Sequence, residues 1–546
     1  MNAKKGRPTA RRIFLKNAVI LTACALLLSG IAMAMRVYQT AVIGAEGVGL
    51  LQLLLSVYFF ATNLAVSGLN LAVTRLVSES TAPGGVPVRV TLRRCFALSG
   101  CTGVGAGTLL FFGAPAAAHG LGDLRAAQPL RILACSLPLF AVSACCRGYF
   151  LAVRRSLAPG LGQLLEQVCA FAVMRVLLPL AAPHGMAAAC SAAALGMAAG
   201  ELCGNIWIVA ALLLDRRRAA RTEPPRTGAL PLRRVGAIAL PVALGYDLRA
   251  ALIAVENGLA PAGLRRCGQS AAESLAAYGT VKGMALPTIQ FPAAFLAAFS
   301  QLLIPEVAQS RAEGRSETVR ALASRVFRIC LAFSLFVTNG FLAFGDDLGR
   351  VLFGSAGAGA QMRMLCPLVP LMYLDSIVDA MLKGLDEQNY SLRVNMSDSC
   401  IRIALIALLL PRWGMAGYLT AFYCSTVYNA SLSIARLVRR SRLRVEAGAW
   451  IAVPALCAAT ACLWSALLVR LTPPLCHAAL PVNLAARCAL AAALYLPMLA
   501  LCARLCGRPI RRRNQNSSNV TRGSLGLPRA RNRQRGAACA QDVRRR

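Results

Sequence analysis

Acidic side chains, histidine and aromatics are all scarce: of 546 residues 22 are Asp or Glu, 3 are His, and 6% are aromatic. His119, His184 and His477 are too scattered for a histidine-built metal cluster, and no C-x-x-C pair stands at zinc spacing from one of them. No G-x-x-x-x-G-K-[ST] loop occurs, which excludes transport driven by ATP bound to this chain. Charged residues reach only 15%, against about a quarter in soluble domains. With a mean hydropathy of +0.58, that shortage excludes a soluble globular enzyme.

What is present is apolar surface, 57% of the chain, and it needs lipid as its solvent. The 21 cysteines fall mostly inside apolar runs, where they act as small hydrophobes. Six basic residues lie among the first sixteen, followed by an apolar run from Ala18 to Met35. Ala32-Met33-Ala34 imitates a signal-peptidase site, but the run is longer than the roughly 7–15 residues of a signal peptide core and another span follows at once. It is read as a retained first helix.

A span needs roughly 20 apolar residues. Fourteen stretches are expected to cross: 18–35, 48–74, 95–114, 130–152, 161–180, 185–214, 235–260, 276–304, 326–344, 364–382, 394–410, 414–435, 447–469 and 483–506. With the N-terminus in the cytoplasm, 42 Lys and Arg fall in inside segments, 8 in outside loops and 9 within spans. That asymmetry, alternating loop by loop, is the positive-inside pattern, so both termini are expected in the cytoplasm of a multi-pass cell-membrane protein. The net charge of +37 is then largely topological, and no nucleic-acid partner is expected. The tail from 507 lacks apolar periodicity and reads as a disordered basic segment against anionic lipid.

An internal repeat organises the spans. Glu46-Gly47-Val48-Gly49 resembles Ala276-Ala277-Tyr278-Gly279, Gly185-Met186-Ala187 matches Gly414-Met415-Ala416, and Arg147-Gly148 pairs with Lys383-Gly384, all at offsets near 230 and six spans apart. Duplicated bundles are common in transporters. The expected organisation is a basic N-terminus (1–17), an N-lobe (18–214), a basic linker (215–234), a C-lobe (235–444), two appended helices (445–506) and the tail (507–546). Two like-oriented six-helix lobes imply an axis along the membrane normal and a central cleft.

The run Ile43-Gly44-Ala45-Glu46-Gly47-Val48-Gly49-Leu50 resembles the polysaccharide flippases of the multidrug/oligosaccharidyl-lipid/polysaccharide (MOP) exporter superfamily. Arg147-Gly148-Tyr149-Phe150 with Pro159, Gln163, Glu166-Gln167 and Arg175 resembles its stage V sporulation protein B branch. So does Tyr278 to Pro287, continuing through Pro292 to Leu303-Ile304-Pro305-Glu306. The resemblance implies alternating-access flipping of an undecaprenyl-linked saccharide or peptidoglycan precursor, in service of spore cortex synthesis, with cell-wall synthesis proteins as partners. One departure stands out. The lipid II flippase group often carries two arginines six apart in the first helix; Arg36 matches the second, and the first position is Gly30.

Ionisable residues inside spans are costly and mark function by default. Arg131, Arg147, Arg328 and Arg504 lie near span ends, where they can snorkel. Arg36, Arg175, Arg249, Lys282 and Arg402 remain as candidates for a substrate pyrophosphate, whose oxygens guanidinium groups bind in pairs. Glu166, Asp375 and Asp379 are candidates for a coupling proton or sodium ion. The two aspartates, four apart, share a helix face. Glu166 and Arg175 are nine apart, on opposite sides of a helix turning ~100° per residue, as are Asp247 and Glu256. No catalytic residue, metal or bound cofactor is expected. A drug/cation antiporter of the same superfamily is the alternative function; a membrane glycosyltransferase or polymer ligase fits less well, since the outer loops are short and Asp346-Asp347 is their only acidic pair.

Overall fold

Apolar side chains cover the outside of this protein as well as its core. Phe112 is 76% exposed, Leu463 70% and Leu456 67%, and contiguous apolar surface of that kind is tolerated in lipid and not in water. The computed structural model describes residues 7–66, 68–81, 86–153, 155, 157–220, 230–443, 445–472 and 479–506. Among them there is no strand. The helices are α1 (Arg7–Val66), α2 (Leu69–Thr81), α3 (Val88–Leu121), α4 (Ala127–Ala134), α5 (Leu137–Ala152), α6 (Leu157–Ala181), α7 (Met186–Ala220) and α8 (Leu232–Arg266). There follow α9 (Ala271–Gly279), a π-helical stretch (Thr280–Ala285), α10 (Leu286–Gln290), α11 (Ala293–Ala312), α12 (Ser316–Phe353), α13 (Ala356–Leu365), α14 (Val369–Gly384) and α15 (Gln388–Ser441). After a second π-helical stretch (Gly448–Ala452) come α16 (Val453–Leu471) and α17 (Leu480–Cys506). The expected tail, 507–546, lies outside the described residues.

Among the described residues, nine helices are long and apolar enough to cross a membrane, or eleven if the two strongly bent pairs each count as one span. This all-helical, multi-pass architecture is the one expected, but the count differs from fourteen. Two physical features account for the difference. At Gly44 (φ 66°, ψ −174°) and Gly414 (φ 55°, ψ −135°) the backbone leaves helical geometry inside α1 and α15, so each long helix holds two arms expected as separate spans. The stretch 271–312 is divided among α9, the π-turn, α10 and α11, and does not qualify as one long helix.

Helix packing follows the sequence halves. α2, α3 and α5 pack together, α6 lies along α7, and α4 against α7; in the second half α11, α12 and α15 pack around α14, and α13 against α12. α1 joins them by packing on α8 and α9. The long α6–α7 interface rests on Gly196, Gly200 and Gly204, spaced four apart on one face of α7. A Cβ on Gly200 would lie 2.7 Å from that of Ala170, so small residues let the two backbones close up, as in membrane helix pairs generally. α16 packs on α12, and the Phe336 and Tyr495 rings stack at 4.8 Å. Contacts make residues through Tyr495 one unit; Leu496–Cys506 are the described part of a separate one.

The repeat has a physical counterpart. Gly148 on α5 sits against the carbonyl of Asn70, 2.8 Å from where its Cβ would be, and Gly384 on α14 sits against that of Ile304 at 2.9 Å. Both members of the second contact lie about 235 residues after those of the first. Gly185 and Gly414, also paired in the sequence, share positive φ, 102° and 55°, a region that side-chain-bearing residues seldom occupy.

Candidate functional site

Two cavities meet at the first helix, both touching Ser29 and Ala32. The larger, about 790 Å³, is lined by Arg36, Gln52, Lys282, Asp375, Arg402 and Asn429 among others. The smaller, about 640 Å³, is lined by Asn70, Arg147, Gln163, Glu166 and Gln167. Together they set charged and polar side chains among apolar ones in the interior of a protein with an apolar exterior, an arrangement that can receive a charged head group from bulk water.

In the larger cavity, Arg402 and Lys282 belong to a buried ion network. Glu256 of α8, its side chain 3% exposed, lies 3.3 Å from Lys282 Nζ and 3.5 Å from Arg402 Nη1. Arg402 also pairs with Asp398 one turn earlier and donates from Nε to Ser425 Oγ at 2.7 Å, while the Ser425 hydroxyl donates to Asp398. The Arg402 guanidinium lies over the Phe422 ring at 5.4 Å. Lys282 reaches the network from the π-helical stretch, a helix irregularity often found at functional sites. Two cations and two carboxylates cancel, so these side chains present a polar wall of no net charge.

Arg36 is different. It lines the same cavity, and no carboxylate among the described residues pairs with it. Asp375, which also lines this cavity, accepts a hydrogen bond from Asn429 Nδ2 at 3.3 Å. Asp379, on the same face of α14, is instead engaged by Lys383 at 2.7 Å and by the Ser391 hydroxyl. Arg175 does not line either cavity: it is exposed, with its guanidinium 4.8 Å from the centre of the Tyr38 ring. Arg249 is exposed too, and within Coulombic range of Asp375. Thus Arg36, Lys282, Arg402 and Asp375 come together, and Arg175, Arg249 and Asp379 stand apart.

Glu166 lines the smaller cavity, and the close packing of α6 on α7 puts Glu201 of α7 near enough for the two carboxylates to interact electrostatically. Glu201 is 4% exposed, and its Oε1 is buried without a hydrogen-bond partner. Arg147, over the Phe140 ring at 5.2 Å, brings a positive charge to the same cavity. Glu256, Asp398 and Glu201 are the site residues that sequence reasoning missed. Only Asp398 had a local signal, four residues before Arg402 and so on the same helix face.

Outside the cavities, Glu46 of the Ile43–Leu50 motif pairs with Arg125 at 2.9 Å, and Arg125 also with Asp123 at 2.7 Å. The motif therefore anchors the start of the second span and does not reach either cavity wall.

Residues 14–227 match the family model described as polysaccharide biosynthesis protein. The chain is 24% identical over 408 residues to stage V sporulation protein B of Bacillus subtilis (strain 168), covering 74% of this chain and 79% of that protein. Among solved structures it is similar to a lipid II flippase, MurJ, in an inward closed conformation (TM-score 0.66, 11% identity, 90% of this chain and 100% of that one). It is also similar to an inward-facing multidrug resistance MATE family transporter of the MOP superfamily (TM-score 0.59, 13% identity, 77% and 96%). This chain resembles stage V sporulation protein B and has the multi-pass helical fold of the MOP-superfamily transporters.

Proposed function

We propose that the protein flips a lipid-linked saccharide, carried on a polyprenyl diphosphate, across the cytoplasmic membrane by alternating access. The observation that carries this reading is Arg36. It is a guanidinium in a large membrane-embedded cavity, paired with no carboxylate among the described residues, and an unpaired charge there is costly unless an anion visits. A diphosphate supplies such an anion and accepts paired hydrogen bonds from the guanidinium. The likeness to stage V sporulation protein B and to a lipid II flippase supports a lipid-linked precursor as cargo, and the sporulation relative supports a peptidoglycan precursor for the spore cortex. Coupling to a proton gradient draws support from the Glu166–Glu201 pair; Asp375 is the second candidate. Both termini face the cytoplasm in this reading.

The test is flipping of a polyprenyl-diphosphate saccharide in proteoliposomes. Arg36→Gln should cut the rate at least tenfold with unfolding temperature unchanged, because it removes the anion partner and no ion pair. Wild-type flipping by that variant, at equal protein in the vesicles, would refute the assignment.

A further inference from the structure

A third cavity, of about 420 Å³, lies away from the central ones, where the end of α11 and start of α12, the 385–387 connection and the end of α15 converge. Its walls carry Arg311, Arg320, Arg440 and Arg442 against Glu317 and Glu387. The positive charge is not balanced locally. Glu387 is held by Arg440 at 2.6 Å and by Arg436, outside the cavity, at 2.7 Å. Arg311 donates to the Leu385 carbonyl. Arg320 has only Glu317, 3.5 Å away with its side chain 83% exposed, and Arg442 pairs with no carboxylate among the described residues.

The backbone around this cavity is unusual as well. Among the described residues only two other than glycine have positive φ, Asp386 at 61° and Arg442 at 50°. Arg442 caps α15 in the left-handed conformation, a position where glycine is the usual residue and a long side chain is an outlier. Asp386 sits between two lining residues and lies 3.7 Å from Arg311. Strain kept against an unstrained alternative points to a task for the side chain that causes it.

We infer that this cavity binds a phosphate-bearing anion, with Arg320 and Arg442 as its principal ligands. Guanidinium forks suit phosphate oxygens, and several arginines lining one pocket let a single anion take more than one charge-assisted hydrogen bond. The anion is a soluble phosphate or the head group of an anionic phospholipid, since the arginine distribution places this end of the bundle at the cytoplasmic membrane surface. The site is independent of the central cavity and of the cargo proposed for it.

Inorganic pyrophosphate titrated against the full chain in detergent, with unfolding temperature as readout, tests the site. Wild type should show a saturable rise. Arg442→Gly should keep or raise the unliganded unfolding temperature, because glycine relieves the positive φ, yet weaken the apparent Kd about tenfold, the loss of one charge-assisted contact. Arg320→Gln should weaken it similarly with the backbone unaltered, and Arg36→Gln in the central cavity should leave it unchanged. Competition by phosphatidylglycerol in mixed micelles would identify a lipid head group as the occupant; its absence would identify a soluble phosphate. No saturable response to either anion in wild type, unchanged affinity in both Arg442→Gly and Arg320→Gln, or loss of the response only in Arg36→Gln would overturn the inference.

Discussion

Gly49 and Gly279, 230 residues apart and matched by the internal repeat, pack directly against each other. A Cβ on Gly279 would fall 2.6 Å from the Gly49 nitrogen, and one on Gly49 would fall 2.8 Å from the Leu275 carbonyl carbon. The contact joins α1 to α9 across the two halves of the sequence, and it requires glycine on both sides.

Adding one methyl group there should be expensive. Gly49→Ala and Gly279→Ala are each expected to destabilise by about 1–3 kcal/mol, the range for overpacking a tight contact. Gly105→Ala in α3, where nothing lies within 4 Å of the added atom, should be neutral or stabilising by roughly 0.5–1 kcal/mol, since alanine is the better helix former. Thermal unfolding of the three variants in detergent checks the contrast; equal effects would disprove the close-contact account.

The buried network around Glu256 sets a second expectation. Arg402→Ala leaves Asp398 without its cation and Glu256 with Lys282 alone, so it should lower stability by about 3–5 kcal/mol, the cost of breaking a buried ion pair from one side. Arg402→Ala combined with Asp398→Asn should recover part of that, with a coupling of roughly 0.5–3 kcal/mol. Protein yield and unfolding temperature across this double-mutant cycle give the answer, and strict additivity would rule the pairing out. A transport defect in Arg402→Ala alone would thus reflect folding as much as substrate binding, unlike one in Arg36→Gln.

Acid should weaken the clasp at Glu387. Hydrogen bonding to Arg436 and the charges of Arg436 and Arg440 hold its carboxyl below the usual glutamate value. A depressed folded-state value means the stabilisation is fully present above the unfolded value, about 4.3, and is lost as pH falls through the folded one. Wild type should therefore be more stable than Glu387→Gln at neutral pH, with the gap closing below roughly pH 4. A gap that stays constant from pH 7 to pH 3 would remove the ion pair from the account.

Topology can be read by labelling single cysteines in a cysteine-free background. Positions 217 and 440, at the ends of α7 and α15, should be protected from an impermeant thiol reagent in intact cells, and position 265, at the end of α8, should react. Reaction at 217 would reverse the orientation.

Much of this architecture was legible in the chain itself. Hydropathy and arginine placement act locally, one span or loop at a time, so the helical, multi-pass class followed from runs such as 95–114 and 161–180. The repeat was legible for a related reason: Gly148 and Gly384, or Gly185 and Gly414, answer the same backbone demand twice, and the demand leaves the same residue in both halves. Asp375 and Asp379 fell on one helix face as their spacing requires.

What those side chains touch was decided by tertiary structure, because a charge in a low-dielectric interior is governed by whichever neighbour comes within a few ångströms. Glu256 and Arg402 are 146 residues apart, and nothing in either span announces the other. Glu201 carries no local sign that packing of α7 on α6 brings it to Glu166. Asp379 was diverted to Lys383, a partner its four-residue spacing does encode, and to Ser391; Ser391 and the ring that Arg175 meets at Tyr38 are contacts that no periodicity encodes. The amino-acid sequence determined that buried charge had to exist and on which helix faces; packing alone determined that Lys282 and Arg402 were neutralised while Arg36 pairs with no carboxylate among the described residues.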